Sequence, residues 1–140
     1  MTPDDLSTVQ RSWTELGRRR PEMAAELCRQ YEAAGVAQVA ARHRTEWLLV
    51  AVGELVELLP APSRLATRAC DLGRTWPDPV AAPSYGVEGT VWMSAAGACH
   101  PAWSDATEAA WRQAWLLLSD VLAAETLSPF TDGNRPAPTA

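Results

Sequence analysis

Residues 36 to 59 read VAQVAARHRTEWLLVAVGELVELL and predict one long helix. Pro60 and Pro62 end this helix, because proline has no backbone N–H and its ring clashes with the preceding turn. Apolar residues recur three and four positions apart, which is the spacing of one helix face. In the second half they cover a wide arc, typical of a helix with neighbours on several sides: Trp47, Leu48, Val50, Ala51, Leu55, Leu58 and Leu59.

Two shorter helices are predicted before this stretch. Thr2 precedes Pro3, Asp4 and Asp5, which is a helix start with a hydroxyl cap, a proline in the first turn and acids at the positive end of the dipole. A second helix opens at Pro21 and is predicted to end at Gly35, and the long helix follows almost directly. The chain therefore begins with three consecutive helices.

Three further helices are predicted after Pro60. Ser63 is expected to cap the fourth, Ser84 to start the fifth after a proline-interrupted segment, and the last is expected to begin at Ser104. No stretch alternates apolar and polar residues with a period of two, so no strand is predicted. The prediction is an all-α domain of about six helices over residues 1–127, followed by a disordered, proline-rich tail over residues 128–140.

Composition excludes several classes of function. The 140 residues are 47% hydrophobic and 21% charged with a net charge of -5, which fits one globular domain and disfavours nucleic acid as a partner. No apolar run reaches membrane-spanning length, and the acidic N-terminus shows no secretory signal. Three cysteines without a Cys-x-x-Cys pattern favour a reduced, cytoplasmic protein. Seven tryptophans against a single phenylalanine are unusual.

Three motifs in this order resemble those of bacterial single-domain globins and of the globin domain of flavohaemoglobins. They are Leu6–Trp13 in the first helix, Leu72-Gly73-Arg74 followed by Val80 and Tyr85–Gly89, and Ala110–Trp115 in the last helix. The resemblance covers about residues 2 to 126. It implies a globin-like arrangement, shortened between the second and third helices.

The proximal histidine that binds haem iron in globins is missing from this pattern. Counting from Leu72-Gly73 puts Trp76 at that position, whereas counting back from Val80 puts Thr75 there. Neither side chain replaces imidazole as an axial ligand. His43 is the alternative haem ligand, because the resemblance places it near the distal side. No cofactor is therefore expected, and the alternative is haem bound through His43.

The resemblance implies a haem-free binding or regulatory protein, because haem-free relatives serve as sensory domains. Large indole rings can refill the space of a lost haem. If a smaller apolar pocket remains, Trp47, Trp76, Tyr85 and Trp92 are its predicted lining, and the partner is a small apolar ligand or a protein, with a homodimer also implied. Two alternatives stay open: an oxygen- or nitric-oxide-binding globin with an unusual ligand, and a small accessory enzyme that uses His43 or Tyr85 for proton transfer. No catalytic motif or metal-ligand spacing supports a specific reaction.

Overall fold

The computed structural model describes residues 1–77 and 85–133, with side chains described as far as residue 123. The described residues form helices and no strand, which confirms the all-α prediction. The six helices are α1 (Pro3–Gly17), α2 (Arg20–Ala33), α3 (Gln38–Leu58), α4 (Pro62–Gly73), α5 (Tyr85–Cys99) and α6 (Asp105–Gly133). None of the helices in the described ranges is long and apolar enough to cross a membrane.

The first helix starts as its sequence predicts. Thr2 accepts a hydrogen bond from the Asp5 backbone N–H, and the Asp5 carboxylate accepts one from the Thr2 N–H, which completes a capping box. Gly35 has a φ of 91°, a left-handed conformation that glycine adopts without strain, and it turns the chain between α2 and α3.

The structure corrects two predicted helix boundaries. Helix α4 begins at Pro62 and its cap residue is Ala61, so Ser63 lies inside the helix and does not cap it. Helix α6 continues past Leu127 to Gly133, where the lack of periodicity predicts a tail. Ser84, the predicted start of the fifth helix, and residues 134–140, the remainder of the predicted tail, lie outside the described residues.

Each helix packs against at least two others. Helix α1 contacts α2, α3 and α6, α2 also contacts α3 and α5, α4 contacts α3 and α6, and α5 packs on α6. One apolar cluster fills the space between them and draws residues from all six helices. A polar contact also joins the first and last helices, because the buried Trp111 Nε1 donates to the Ser12 hydroxyl at 2.7 Å.

Indole rings form the centre of this cluster. Trp92 on α5 is fully buried between Trp13 on α1 and Trp111 on α6, with ring centroids 5.7 and 5.5 Å apart. Tilted aromatic pairs at this separation add stabilisation beyond the area that they bury. The rings leave little room for their neighbours, since a Cβ at Gly53 on α3 would lie 2.8 Å from the Trp13 ring.

Candidate functional site

The ring of Trp47 closes the junction between α3 and the end of α4. Its Nε1 donates to the Leu72 carbonyl oxygen at 3.0 Å and to the Thr75 hydroxyl at 3.1 Å. The ring also meets Trp76 edge to face, with centroids 5.0 Å apart and planes at 86°. The two positions that the globin pattern assigns to the missing ligand, Thr75 and Trp76, therefore both contact the same indole of α3.

Arg44 lies one helical turn before Trp47 and reaches across two aromatic rings. Its guanidinium carbon is 5.4 Å from the centroid of Trp76 and 6.0 Å from the centroid of Tyr31 on α2. A guanidinium at this distance is attracted to the ring face. Arg44 thus connects the end of α4 with α2.

A buried polar pair lies next to Arg44. The Tyr31 hydroxyl donates a short hydrogen bond to Oε2 of Glu88 on α5, and neither residue is exposed to solvent. The second carboxylate oxygen, Oε1, is also buried, and no side chain or backbone group of residues 1–77 or 85–123 forms a hydrogen bond with it. A buried carboxylate with an unsatisfied oxygen is costly, so the charge on this group depends strongly on its surroundings.

The surroundings of this pair shift both pKa values upward. Burial raises the pKa of Glu88, while the hydrogen bond from Tyr31 and the positive charge of Arg44 partly oppose the rise. Burial also raises the pKa of Tyr31, and the nearby negative charge of Glu88 adds to it. Tyr31 therefore stays a neutral donor, and Glu88 is the group of the pair that can change its charge.

The four predicted pocket residues fall in three places. Trp47 and Trp76 contact each other at the α3–α4 junction, whereas Trp92 belongs to the indole cluster with Trp13 and Trp111. Tyr85 begins α5, and its carbonyl oxygen accepts a hydrogen bond from Trp115 Nε1 at 2.8 Å. The structure thus brings two of the four together and places the other two elsewhere in the core.

His43, the predicted alternative haem ligand, is exposed on α3, and so are its neighbour Arg42 and, on the next turn, Glu46. The interior position one residue further along the chain belongs to Arg44. Within the described residues, no group of three or more His, Cys, Asp or Glu side chains could hold a metal ion.

An open groove runs between α5 and α6, with a volume of about 530 Å³. Gly89 and Trp115 are the buried residues along it, and Leu116, 59% exposed, lines its α6 side. The outward face of α5 carries no charged side chain, because Glu88, the one charged residue of this helix, is buried. This face consists of Gly86, Val87, Thr90, Met93, Ser94, Gly97 and Ala98.

The contact of the three polar residues Tyr31, Arg44 and Glu88 is not predicted from the sequence. Helical spacing predicts that Tyr31 lies on the buried face of the second helix, but it predicts no partner for the hydroxyl. One signal was available, because Glu88 is the only charged residue in an otherwise uncharged helix. The pairing itself joins residues 57 positions apart, and local spacing does not predict such a contact.

Comparison with protein-family models, with curated proteins and with solved structures finds no match to this chain.

Proposed function

We propose that this chain is a haem-free relative of the globins with a binding or regulatory role. The observation that carries the proposal is the Trp47 contact, in which one indole of α3 is bonded to Leu72 and Thr75 and packed on Trp76. In the globin pattern the iron ligand comes from this part of the chain. Here the same positions are joined directly to the neighbouring helix by a side chain.

Two further observations support the proposal. Elsewhere in the core the interior is filled by the Trp13, Trp92 and Trp111 rings, and the one histidine near the expected distal side is exposed. The order of the motifs along the chain supports the relationship to globins. The haem-binding and enzymatic alternatives lack an observation of this kind.

A haem titration tests the proposal. Adding haem to the purified protein is expected to give no sharp Soret band and no spectral change on reduction. A stoichiometric band that disappears in His43→Ala would contradict it and favour the alternative haem ligand. Native mass spectrometry of the protein as isolated then separates a filled interior, which gives the mass of the chain alone, from a retained small apolar ligand.

The partner in this proposal is a second copy of the chain, bound through the α5–α6 face. Leu116, 59% exposed on α6, lies beside the uncharged face of α5, and the next residue, Leu117, is 40% exposed. Arg112 lies four residues before Leu116 and Asp120 four residues after it, and both are exposed. When two α6 helices cross antiparallel at Leu116 under two-fold symmetry, Arg112 of each copy faces Asp120 of the other.

Charge reversal distinguishes this partner from others. Arg112→Asp and Asp120→Arg each place like charges opposite one another, so each variant alone is expected to sediment as a monomer. An equimolar mixture of the two restores both opposite-charge pairs and is expected to form a heterodimer. Leu116→Glu should also abolish association, whereas Val39→Glu, at a position 60% exposed on α3, should not. A wild-type protein that stays monomeric at high micromolar concentration would contradict the homodimer. It would not affect the proposal that the protein binds no haem.

A further inference from the structure

Three helices converge on one buried carboxylate. Glu88 of α5 is 0% exposed, its Oε2 accepts the hydrogen bond from Tyr31 of α2, and its Oε1 has no hydrogen-bond partner among the described residues. Arg44 of α3 is the cation whose charge acts on both members of the pair. A carboxylate in this position is stable only when it takes up a proton or is compensated by a nearby positive charge.

Within the part of the chain that the structure describes, few titratable groups face this carboxylate. From α2 they are Tyr31 itself and Cys28, whose charge would act on Tyr31. From α3 the charged group is Arg44, while Thr45 accepts a hydrogen bond from the Cys28 thiol at 3.3 Å. From α6 the contact with this part of α5 is made by the uncharged Trp115. Among these groups, Arg44 is therefore the charged one on which a change in the charge of Glu88 acts.

Arg44 carries that change to the end of α4. Its guanidinium lies over the rings of Tyr31 and Trp76, 6.0 and 5.4 Å from their centroids. An ionised Glu88 attracts the guanidinium toward the interior, and a protonated Glu88 leaves it held by the aromatic rings and its other contacts. Trp76 lies three residues after Gly73, the last residue of α4. A shift of Arg44 on the Trp76 ring therefore acts on the end of α4.

We propose that Glu88 is a proton-binding site whose charge sets the position of Arg44 on Trp76 and thereby couples the core to the end of α4. One proton from solvent adds to the carboxylate as pH falls and leaves it as pH rises, and no other bond changes. Burial moves this step to a higher pH than that of an exposed glutamate. The inference goes beyond the proposed function, because it does not depend on whether haem binds.

Nuclear magnetic resonance tests the site in the intact protein. The carboxyl ¹³C resonance of Glu88 in the wild type is expected to titrate above the range of an exposed glutamate. The indole resonances of Trp76 are expected to move with the same midpoint. A Glu88 carboxyl that titrates at an ordinary value, or a Trp76 that does not follow it, would overturn the proposal without any substitution.

Two variants identify the group responsible. Glu88→Gln keeps the shape of the side chain and cannot ionise, so the Trp76 titration should disappear. Glu54→Gln, which removes a carboxylate paired with Arg68 on the surface, is the matched control and should leave the titration unchanged. A Trp76 titration that persists in a folded Glu88→Gln protein would contradict the proposal. If this variant does not fold, the wild-type measurement decides alone.

Discussion

At the scale of single residues, indole N–H groups connect the helices of this protein. Trp47, Trp111 and Trp115 each donate to an oxygen on another helix or at its end. The helical spacing predicts that Trp111 and Trp115 are buried, as they are in the structure. It does not predict the acceptors, because a partner on another helix depends on how the helices dock.

The hydrogen bond of Trp47 should be measurable as stability. Trp47→Phe keeps an aromatic ring against Trp76 and removes the donor to Leu72 and Thr75. Since the Leu72 carbonyl keeps its hydrogen bonds from the Thr75 N–H and hydroxyl, only the net value of the indole hydrogen bond is lost, and we expect the free energy of unfolding to fall by about 0.5–1.5 kcal/mol. Urea unfolding followed by circular dichroism gives this value.

Trp103→Phe is the control for Trp47→Phe, because Trp103 is only partly buried and packs beside Gly97. Its loss should be smaller than that of Trp47→Phe. Equal losses in the two variants would mean that ring size, and not the hydrogen bond, stabilises the α3–α4 junction.

At the scale of helices, the existence and order of the six elements follow from the sequence, and their ends follow less well. Pro21 and Gly35 mark the limits of α2 correctly to within two residues, because both act on the backbone directly. Ser63 was expected to cap α4, but the helix already begins at Pro62, whose ring favours the first turn. Helix α5 differs from an ordinary surface helix, because its charged residue is buried and its outer face is uncharged. This arrangement depends on the residues of the other helices that pack against it.

Gly89 is predicted to be essential for the contact between α5 and α6. A Cβ at this position would lie 2.4 Å from Trp115 Nε1, and Trp115 is held there by its hydrogen bond to the Tyr85 carbonyl. Gly89→Ala must displace a large, bonded ring, so we expect a loss of about 1–3 kcal/mol in the free energy of unfolding.

Gly86→Ala is the matched control on the same helix. Nothing lies within 4 Å of a Cβ there, so alanine should stabilise α5 by about 0.5–1 kcal/mol through its better helix propensity. Thermal unfolding compares the two variants. A Gly89→Ala protein as stable as Gly86→Ala would contradict the close packing of α5 on α6.

At the scale of the whole molecule, the sequence predicts an all-α domain, and the structure confirms it. The relationship to globins stays a prediction, because it rests on three short motifs and on an absent histidine. The polar residues Tyr31, Arg44 and Glu88 come from three different helices. No pattern within one helix predicts that these residues meet. From its own helix alone, each would be expected either among apolar side chains or in solvent.

The buried carboxylate makes a prediction for the stability of the whole protein. The pKa of Glu88 is raised in the folded state above its value in the unfolded chain. Between these two pKa values the folded protein binds more protons than the unfolded one, so the contribution of Glu88 to stability decreases as pH rises through this range. Each unit of difference between the two pKa values corresponds to about 1.4 kcal/mol.

The comparison with Glu88→Gln isolates this contribution. A carboxylate with a lowered pKa contributes stability that increases with pH. Glu26 is an example, because the hydrogen bond from Arg29 lowers its pKa. Both proteins contain such groups, so their contribution cancels in the comparison. The difference in unfolding free energy, wild type minus variant, should therefore decrease as pH rises from about 4 toward neutral and then level off. Urea unfolding at a series of pH values measures it. A constant difference would mean that Arg44 and Tyr31 offset the whole cost of burying the carboxylate, and a difference that grows with pH would mean that they lower the pKa of Glu88 below its value in the unfolded chain.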